Sequence, residues 1–319
     1  MRTVRLLGAA ALTVSLALPA FAADKVKVAI GQIDAWANQM PTLGMQAGIF
    51  QKHGIELENF GTQGAGETLQ AVISGSADIG IGIGTSGAMR AYVRGAPIRV
   101  LAAAYAGTGD QYWYVKPDSP LKAITDATAT QTMSYSTNGS TSHALALGFV
   151  KQLGVKAKPI ATGGPPATYT MTMTGQVDIG WGVMPFGLKE YTEGKFRIIA
   201  RGSDVPTMRN QTMRVQVVNA NALKDRKDVM LRFMRAYRET LDWMYTNPDA
   251  VRMYAEKMKL TPELVVLQRD QFNPKDAMLP DRLSDLDLVM SDAVELKFLD
   301  KPLTKDELAG LFQIPKAGE

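Results

Sequence analysis

Residues 75–87 read GSADIGIGIGTSG and residues 175–187 read GQVDIGWGVMPFG, so an apolar run punctuated by glycine occurs twice, one hundred positions apart. The first copy contains a literal G-x-G-x-x-G at Gly82, Gly84 and Gly87. That spacing cradles a dinucleotide pyrophosphate when its first glycine follows the first strand of a βαβ unit and an acidic residue stands about 20 positions further on. Here the glycines fall inside and after the third predicted strand, the later strand PIRVLAAA carries no acid, and Met184 stands in the second copy where the first has Gly84. The match is accidental. The stretch reads as a buried strand that runs into a helix N-terminus.

The repeat extends outward from this stretch. With a shift of one hundred, eleven of the forty pairs from 48/148 to 87/187 are identical, among them Thr62/Thr162, Gly64/Gly164, Thr68/Thr168 and Asp78/Asp178. Glycines recur at helix ends in any α/β fold and inflate such a count, yet either reading gives both halves the same architecture. Each half alternates short apolar strands with helices that start at Ser, Thr or Pro and stop at Gly, which predicts two α/β units with mostly parallel sheets and right-handed crossovers. Asp78 and Asp178 fall at the starts of their strands, opposite the expected cleft, and read as structural. The predicted division is residues 1–22 as a signal peptide and residues 23–110 as the start of a first lobe. Residues 111–205 form a second lobe, and residues 206–319 form a return strand plus a helical tail that packs on one lobe, the first.

The chain ends and composition limit the function classes. Arg2 and Arg5, an apolar run from Leu6 to Leu18 and Ala20-Phe21-Ala22 make a secretory signal peptide, so a periplasmic protein is expected. The absence of cysteine excludes a thiolate nucleophile, a disulfide framework and a sulfur-ligated metal. Loss of Arg2 and Arg5 lowers the formal charge from +4 to +2, and the remaining basic residues are scattered, so no nucleic-acid partner is expected. With two histidines in the whole chain, no metal and no cofactor are expected.

Several segments together resemble a known family. They are LGMQAGIFQKHGIELE, AVISGSADIGIGIGTSGAMRAYVRGAPIRVLAA, YWYVKPDSPLKAITD, STNGSTSHALALGFVKQLG and NPDAV, together with the exported start. The mature chain resembles the solute-binding proteins of ABC importers, in the group that includes taurine, aliphatic-sulfonate and nitrate binders. The resemblance implies the two-lobe type II fold of periplasmic binding proteins, joined by two crossing strands, with a ligand in the cleft and closure on binding. It also implies a transient partner, an inner-membrane ABC permease, and we expect a monomer.

In open α/β sheets a ligand sits beyond the carboxyl ends of the strands, where helix N-termini present free N–H groups. The first lobe then offers Gln32, Trp36 and Asn38 after the first strand, the turn containing Gly64 and Ala65, and Thr85 with Ser86. The crossing contributes Trp113, and the second lobe offers Ser136, Asn138, Ser140, Thr141, His143, Trp181 and Met184, with Pro165 and Thr168 beside them. Hydroxyls and amides would bind oxygens, and tryptophans would wall an apolar body. Thr85, Ser140 and Thr141 read equally as helix caps, and Trp36 and Trp113 equally as buried core. Trp181 is more telling because its counterpart is Ile81.

A bidentate arginine commonly receives a sulfonate or carboxylate. Arg209 and Arg214 flank the return crossing, and the loop PTMRNQ favours Arg209. A small organic anion, sulfonate or aromatic carboxylate, is the expected ligand. An enzyme is not expected: His143 lies near serines without an evident Asp partner, and no G-x-S-x-G elbow occurs. The alternatives are a lyase or dehydratase on the same fold, or a binder of a neutral pyrimidine-like solute. The fold also carries thiamine-pyrimidine synthases, whose cysteine-rich motif is absent here.

Overall fold

The computed structural model describes residues 23–316 and 318. The expected signal peptide lies outside these residues. The first repeat folds as β1 (Asp24–Gly31), α1 (Met40–Gln46), α2 (Ile49–Lys52), β2 (Ile55–Thr62), α3 (Ala65–Ile73), β3 (Ile79–Gly84), α4 (Thr85–Val93) and β4 (Ile98–Ala106). The second contains β5 (Gln111–Val115), β6 (Thr132–Tyr135), α5 (Thr141–Leu153), β7 (Lys158–Ala161), α6 (Pro165–Met173), β8 (Gly180–Val183), α7 (Leu188–Thr192) and β9 (Arg197–Arg201). Then come β10 (Thr212–Asn219), α8 (Ala220–Asp225), α9 (Lys227–Thr246), α10 (Pro248–Met258), α11 (Pro262–Phe272), α12 (Leu286–Glu295) and α13 (Lys305–Leu311). No helix among the described residues is long and apolar enough to cross a membrane.

The first sheet has the order β2-β1-β3-β10-β4. In the second, β5 lies between β8 and β9, β6 pairs with β7, and a single parallel bridge from Met133 to Ile179 joins the two parts in the order β7-β6-β8-β5-β9. The orders are the same. In each lobe the strand that arrives by a crossing, β10 or β5, runs antiparallel to both neighbours, so the sheets are mixed at that point and parallel elsewhere. The two crossings touch where the Gly107 amide donates to the Gln211 carbonyl at 2.7 Å.

Several of the repeated identities do the same structural work twice. The hydroxyls of Thr62 and Thr68 are 2.7 Å apart, as are those of Thr162 and Thr168, and Thr68 and Thr168 each donate to the glycine carbonyl four residues earlier. Asp78 accepts the Lys27 amide at 2.9 Å, and Asp178 accepts the Thr132 amide at 2.8 Å, which ties the start of one strand to the next. Gly54 and Gly154 both end a helical stretch at φ 69°. A buried polar group kept in both copies because it satisfies the same backbone is what duplication of a fold leaves behind.

Packing places the core on both faces of the first sheet. Met230, Phe233, Met234, Tyr237, Leu241 and Met244 form the buried face of α9, at the helical spacing read from the sequence, and pack with Val26, Val28 and Ile30 of β1. The tail, however, does not stay on the first lobe as expected. Phe272 at the end of α11 packs into the aromatic cluster of Tyr112, Tyr114 and Phe196 in the second lobe. Asp292 of α12 accepts from Thr207 and Gln211 of the return crossing, and Glu295 pairs with Lys151 of α5. Along one face of α11, Val265 packs in the core against the first sheet and Phe272, seven residues on, in the second-lobe cluster.

Candidate functional site

The cleft forms where the carboxyl ends of β1, β3, β6 and β8 face one another. Its outer part is a cavity of about 310 Å³ lined by Gln32, Ile33, Pro165, Pro166, Val183, Pro185 and Phe186, with Gln63 and Met258 at its rim. Pro165 and Pro166 open α6, so the first turn there offers no N–H at two positions and presents apolar rings instead. This wall is suited to an apolar body.

Gln32, Ala35 and Val183 continue into an inner chamber of about 20 Å³, the size of a single water or small head-group atom. Asn38, Ala65, Gln111, Ser136, Ser140, Thr141, Ser142, Trp181 and Arg214 line it. The hydroxyls of Ser136, Ser140 and Ser142 form a chain with 3.0 Å links, and the Ser140 hydroxyl caps α5 by accepting the His143 amide at 3.1 Å. Thr141 donates to the Met213 carbonyl on the return strand, and Trp181 donates through Nε1 to Gln111 Oε1 at 3.0 Å. The N-termini of α3 and α5 approach this chamber from opposite lobes, so their partial positive charges meet there.

The charged group in the chamber is Arg214. Its Nη2 donates to both oxygens of Asp110, at 2.7 and 2.6 Å, and its Cζ lies 4.2 Å from the Tyr105 ring centre. Arg209, the arginine expected here, is exposed in the loop before β10 and donates through Nε to the Ser203 carbonyl. A loop side chain has a local carbonyl to bond, whereas a strand residue on β10 is carried between the lobes. Burial pushes the Tyr105 hydroxyl well above its ordinary range, with Asp110 adding to the rise, so it stays a neutral donor to the Phe272 carbonyl.

The predicted residues divide cleanly. Gln32, Asn38, Ala65, Ser136, Ser140, Thr141 and Trp181 come together in the chamber. Trp36 is core: it donates to Tyr245 and packs edge-on to Tyr254. Trp113 is core as well, donating to the Ser134 carbonyl and packing on Phe149. Thr85 is fully buried and donates to the Thr212 carbonyl, and Ser86 does not line the cleft. Met184 points away from the cleft that Val183, Pro185 and Phe186 line, and packs with Tyr112 and Phe196 instead. Asn138 accepts from the Tyr135 hydroxyl and lines a separate surface groove.

His143 also sits outside the cleft. Its ring stacks on Tyr135 at 4.3 Å, and its Nδ1 accepts the Gly139 amide at 3.2 Å. Burial, helped by Arg90, lowers its pKa to about 4, so at neutral pH it is uncharged and held by a backbone donor rather than by a serine.

Gly64, Gly84 and Gly87 serve the seam between the lobes, while Gly82 serves the first sheet. Gly82 takes φ +77° at a bulge opposite β10, with its amide bonded to the Gln216 side chain. A Cβ on Gly84 would stand 2.7 Å from the Gly139 carbonyl oxygen, and one on Gly64 would stand 2.9 Å from the Thr137 hydroxyl. The Gly66 amide donates to that hydroxyl at 2.9 Å. The last two glycines of G-x-G-x-x-G let a neighbouring lobe's backbone, not a phosphate, come close.

Sequence reasoning missed Gln111, Ser142, Ile33 and Phe186. Ser142 lies in the same Ser/Thr-rich helix start as residues that were found. Gln111 reaches the site because β5 pairs with β8, a register that no local pattern announces.

A family model described as NMT1/THI5 like matches residues 41–251. Among solved structures the chain is similar to the alkanesulfonate-binding protein SsuA from Xanthomonas axonopodis pv. citri bound to MOPS, with 15% identity over 91% of this chain and 98% of that one, at a TM-score of 0.73. It is similar to the periplasmic aliphatic sulphonate binding protein SsuA from Escherichia coli, with 18% identity over 92% and 94% of the two chains and a TM-score of 0.67. The periplasmic nitrate-binding protein NrtA from Synechocystis PCC 6803 aligns at 12% identity over 91% and 86%, with a TM-score of 0.68. No curated protein matches the chain in sequence. Identities this low speak for the fold.

Proposed function

The chain belongs to the NMT1/THI5 like family, and from that premise we propose that it is the solute-binding component of an ABC-type importer, capturing a small organic anion between two closing lobes. The observation that carries this reading is the joining of an apolar outer cavity to a small chamber lined by hydroxyls and helix N-termini. Such a cleft suits a solute with an apolar body and a compact oxyanion, of the sulfonate or aromatic carboxylate class. The names of the similar structures support an oxyanion, an alkanesulfonate in two of them and the inorganic nitrate in the third. The protein would act in the periplasm after loss of its signal peptide, as a monomer that docks transiently on an inner-membrane permease. It would carry its ligand rather than transform it: the serines of the cleft bond one another and His143 bonds the backbone.

A thermal-shift screen of residues 23–319 against sulfonates, aromatic acids, nitrate, pyrimidines and amino acids tests the reading. Organic sulfonates or aromatic carboxylates should raise the melting temperature and be recovered unchanged. A response confined to neutral pyrimidines or cations would overturn the anion class, and turnover of a bound solute would overturn the carrier role.

A further inference from the structure

Arg214 is an incompletely used cation. It is only 6% exposed, and it spends one nitrogen, Nη2, on both oxygens of Asp110. Its Nε is buried and has no acceptor among the protein atoms. A buried arginine normally spreads its five donors over several acceptors, because each unmade hydrogen bond away from water costs free energy. The geometry supplies a reason for the spare donor: Arg214 lines the inner chamber, where the other lining side chains, including Asn38, Gln111 and Ser140, are uncharged.

From this we infer that Arg214 is the residue by which the cleft selects an oxyanion, and that Asp110 is the counter-charge that aims its guanidinium and moderates its affinity. The inference rests on the proposed solute-binding reading and adds the recognition residue to it. Arg214 lies on β10 and Asp110 on the first crossing, so the pair joins the two connections between the lobes. The Tyr105 ring against the guanidinium leaves its edge for in-plane hydrogen bonds. One head-group oxygen of a sulfonate or carboxylate, accepting from Nε, would fill a chamber of this size, with the hydroxyl chain of Ser136, Ser142 and Ser140 taking the others. Asp110 keeps the ligand-free pair neutral, so the empty cleft buries no net charge, and the ligand meets a half-compensated cation from which it can leave.

The test is calorimetric titration with benzenesulfonate, benzoate and the neutral benzenesulfonamide, which share an apolar body and differ in the head. The parent protein should favour the two anions over the sulfonamide by about tenfold or more. Asp110→Asn should strengthen benzenesulfonate binding about tenfold, with less than a twofold change for the sulfonamide, a gain that a misfolded protein cannot produce. The double variant Asp110→Asn, Arg214→Gln, which removes both charges together, should bring the preference close to one. If Asp110→Asn weakens benzenesulfonate, or the double variant keeps the anion preference, Arg214 is not the recognition residue and the solute-binding reading still stands. If the parent binds the sulfonamide in preference to both anions, the anion reading falls with it.

Discussion

Gly87, in the first turn of α4, meets Gly139, just before α5, so closely that a methyl group on Gly87 would overlap the Gly139 carbonyl oxygen. The contact joins the two lobes along one side of the cleft. Gly87→Ala is therefore expected to oppose closure. Overpacking at a tight contact typically costs about 1–3 kcal/mol, so solute affinity should fall roughly tenfold. Small-angle scattering at saturating solute should show a larger radius than the parent protein, and unchanged affinity would argue that the seam is not part of closure.

Acid should weaken the protein through His143. Its folded pKa of about 4 lies below the unfolded value near 6.5, so the native state holds fewer protons than the unfolded chain between these values. Stability from this residue is fully present above about pH 6.5 and is lost as pH falls to about 4, amounting to at most about 3 kcal/mol. Urea midpoints from pH 7 to pH 4 should fall less steeply in His143→Gln, whose side-chain oxygen can still accept the Gly139 amide. Parallel curves for the two proteins would exclude the assignment.

The repeated threonine pairs should be worth similar amounts in the two lobes. Thr68→Val and Thr168→Val each remove one buried hydroxyl from a threonine pair and one bond to a glycine carbonyl. Each is expected to cost about 1–2 kcal/mol. Because the sites lie in different lobes, the double variant should show the sum in chemical denaturation, and a strongly non-additive result would mean that the lobes are energetically coupled there.

Phe272 links the tail to the second lobe, with its ring in the Tyr112 and Tyr114 cluster and 4.9 Å from the Arg201 guanidinium carbon. Phe272→Ala should destabilise the protein by about 3 kcal/mol. It should also raise hydrogen exchange in α11 more than in α9, whose core lies against the first sheet. Equal changes in both helices would show that α11 is not held from the second lobe.

What could be read in advance follows the range of the forces. The buried run IGIGIG, the α9 stripe and the glycine helix stops are local patterns, and each stands where its period put it. The duplication was legible because Thr68 and Thr168 answer to backbone next to them in the chain. The cleft was legible only in part. Ser140 and Thr141 were visible as a helix start, but Arg214 and Arg209 are five residues apart, and only the strand register of β10 decides which of them is carried inward. Trp36 and Trp113 illustrate the converse: a large aromatic near a turn reads as a wall or as core, and here Tyr245 and Ser134 supply the partners that make both of them core.

The position of β10 has a consequence for assembly. β3 and β4 do not pair with each other; each pairs with β10, which lies more than one hundred residues further along the chain. Every strand of the second sheet, by contrast, falls between Gln111 and Arg201. As the polypeptide emerges from its N-terminus, the sheet it begins is the sheet it finishes last, and until Thr212–Asn219 arrive two strand edges stand open to stray pairing. Chains ending before residue 212 should therefore retain a protease-resistant second lobe while the first is digested, and chains carried past β10 and α9 should protect both.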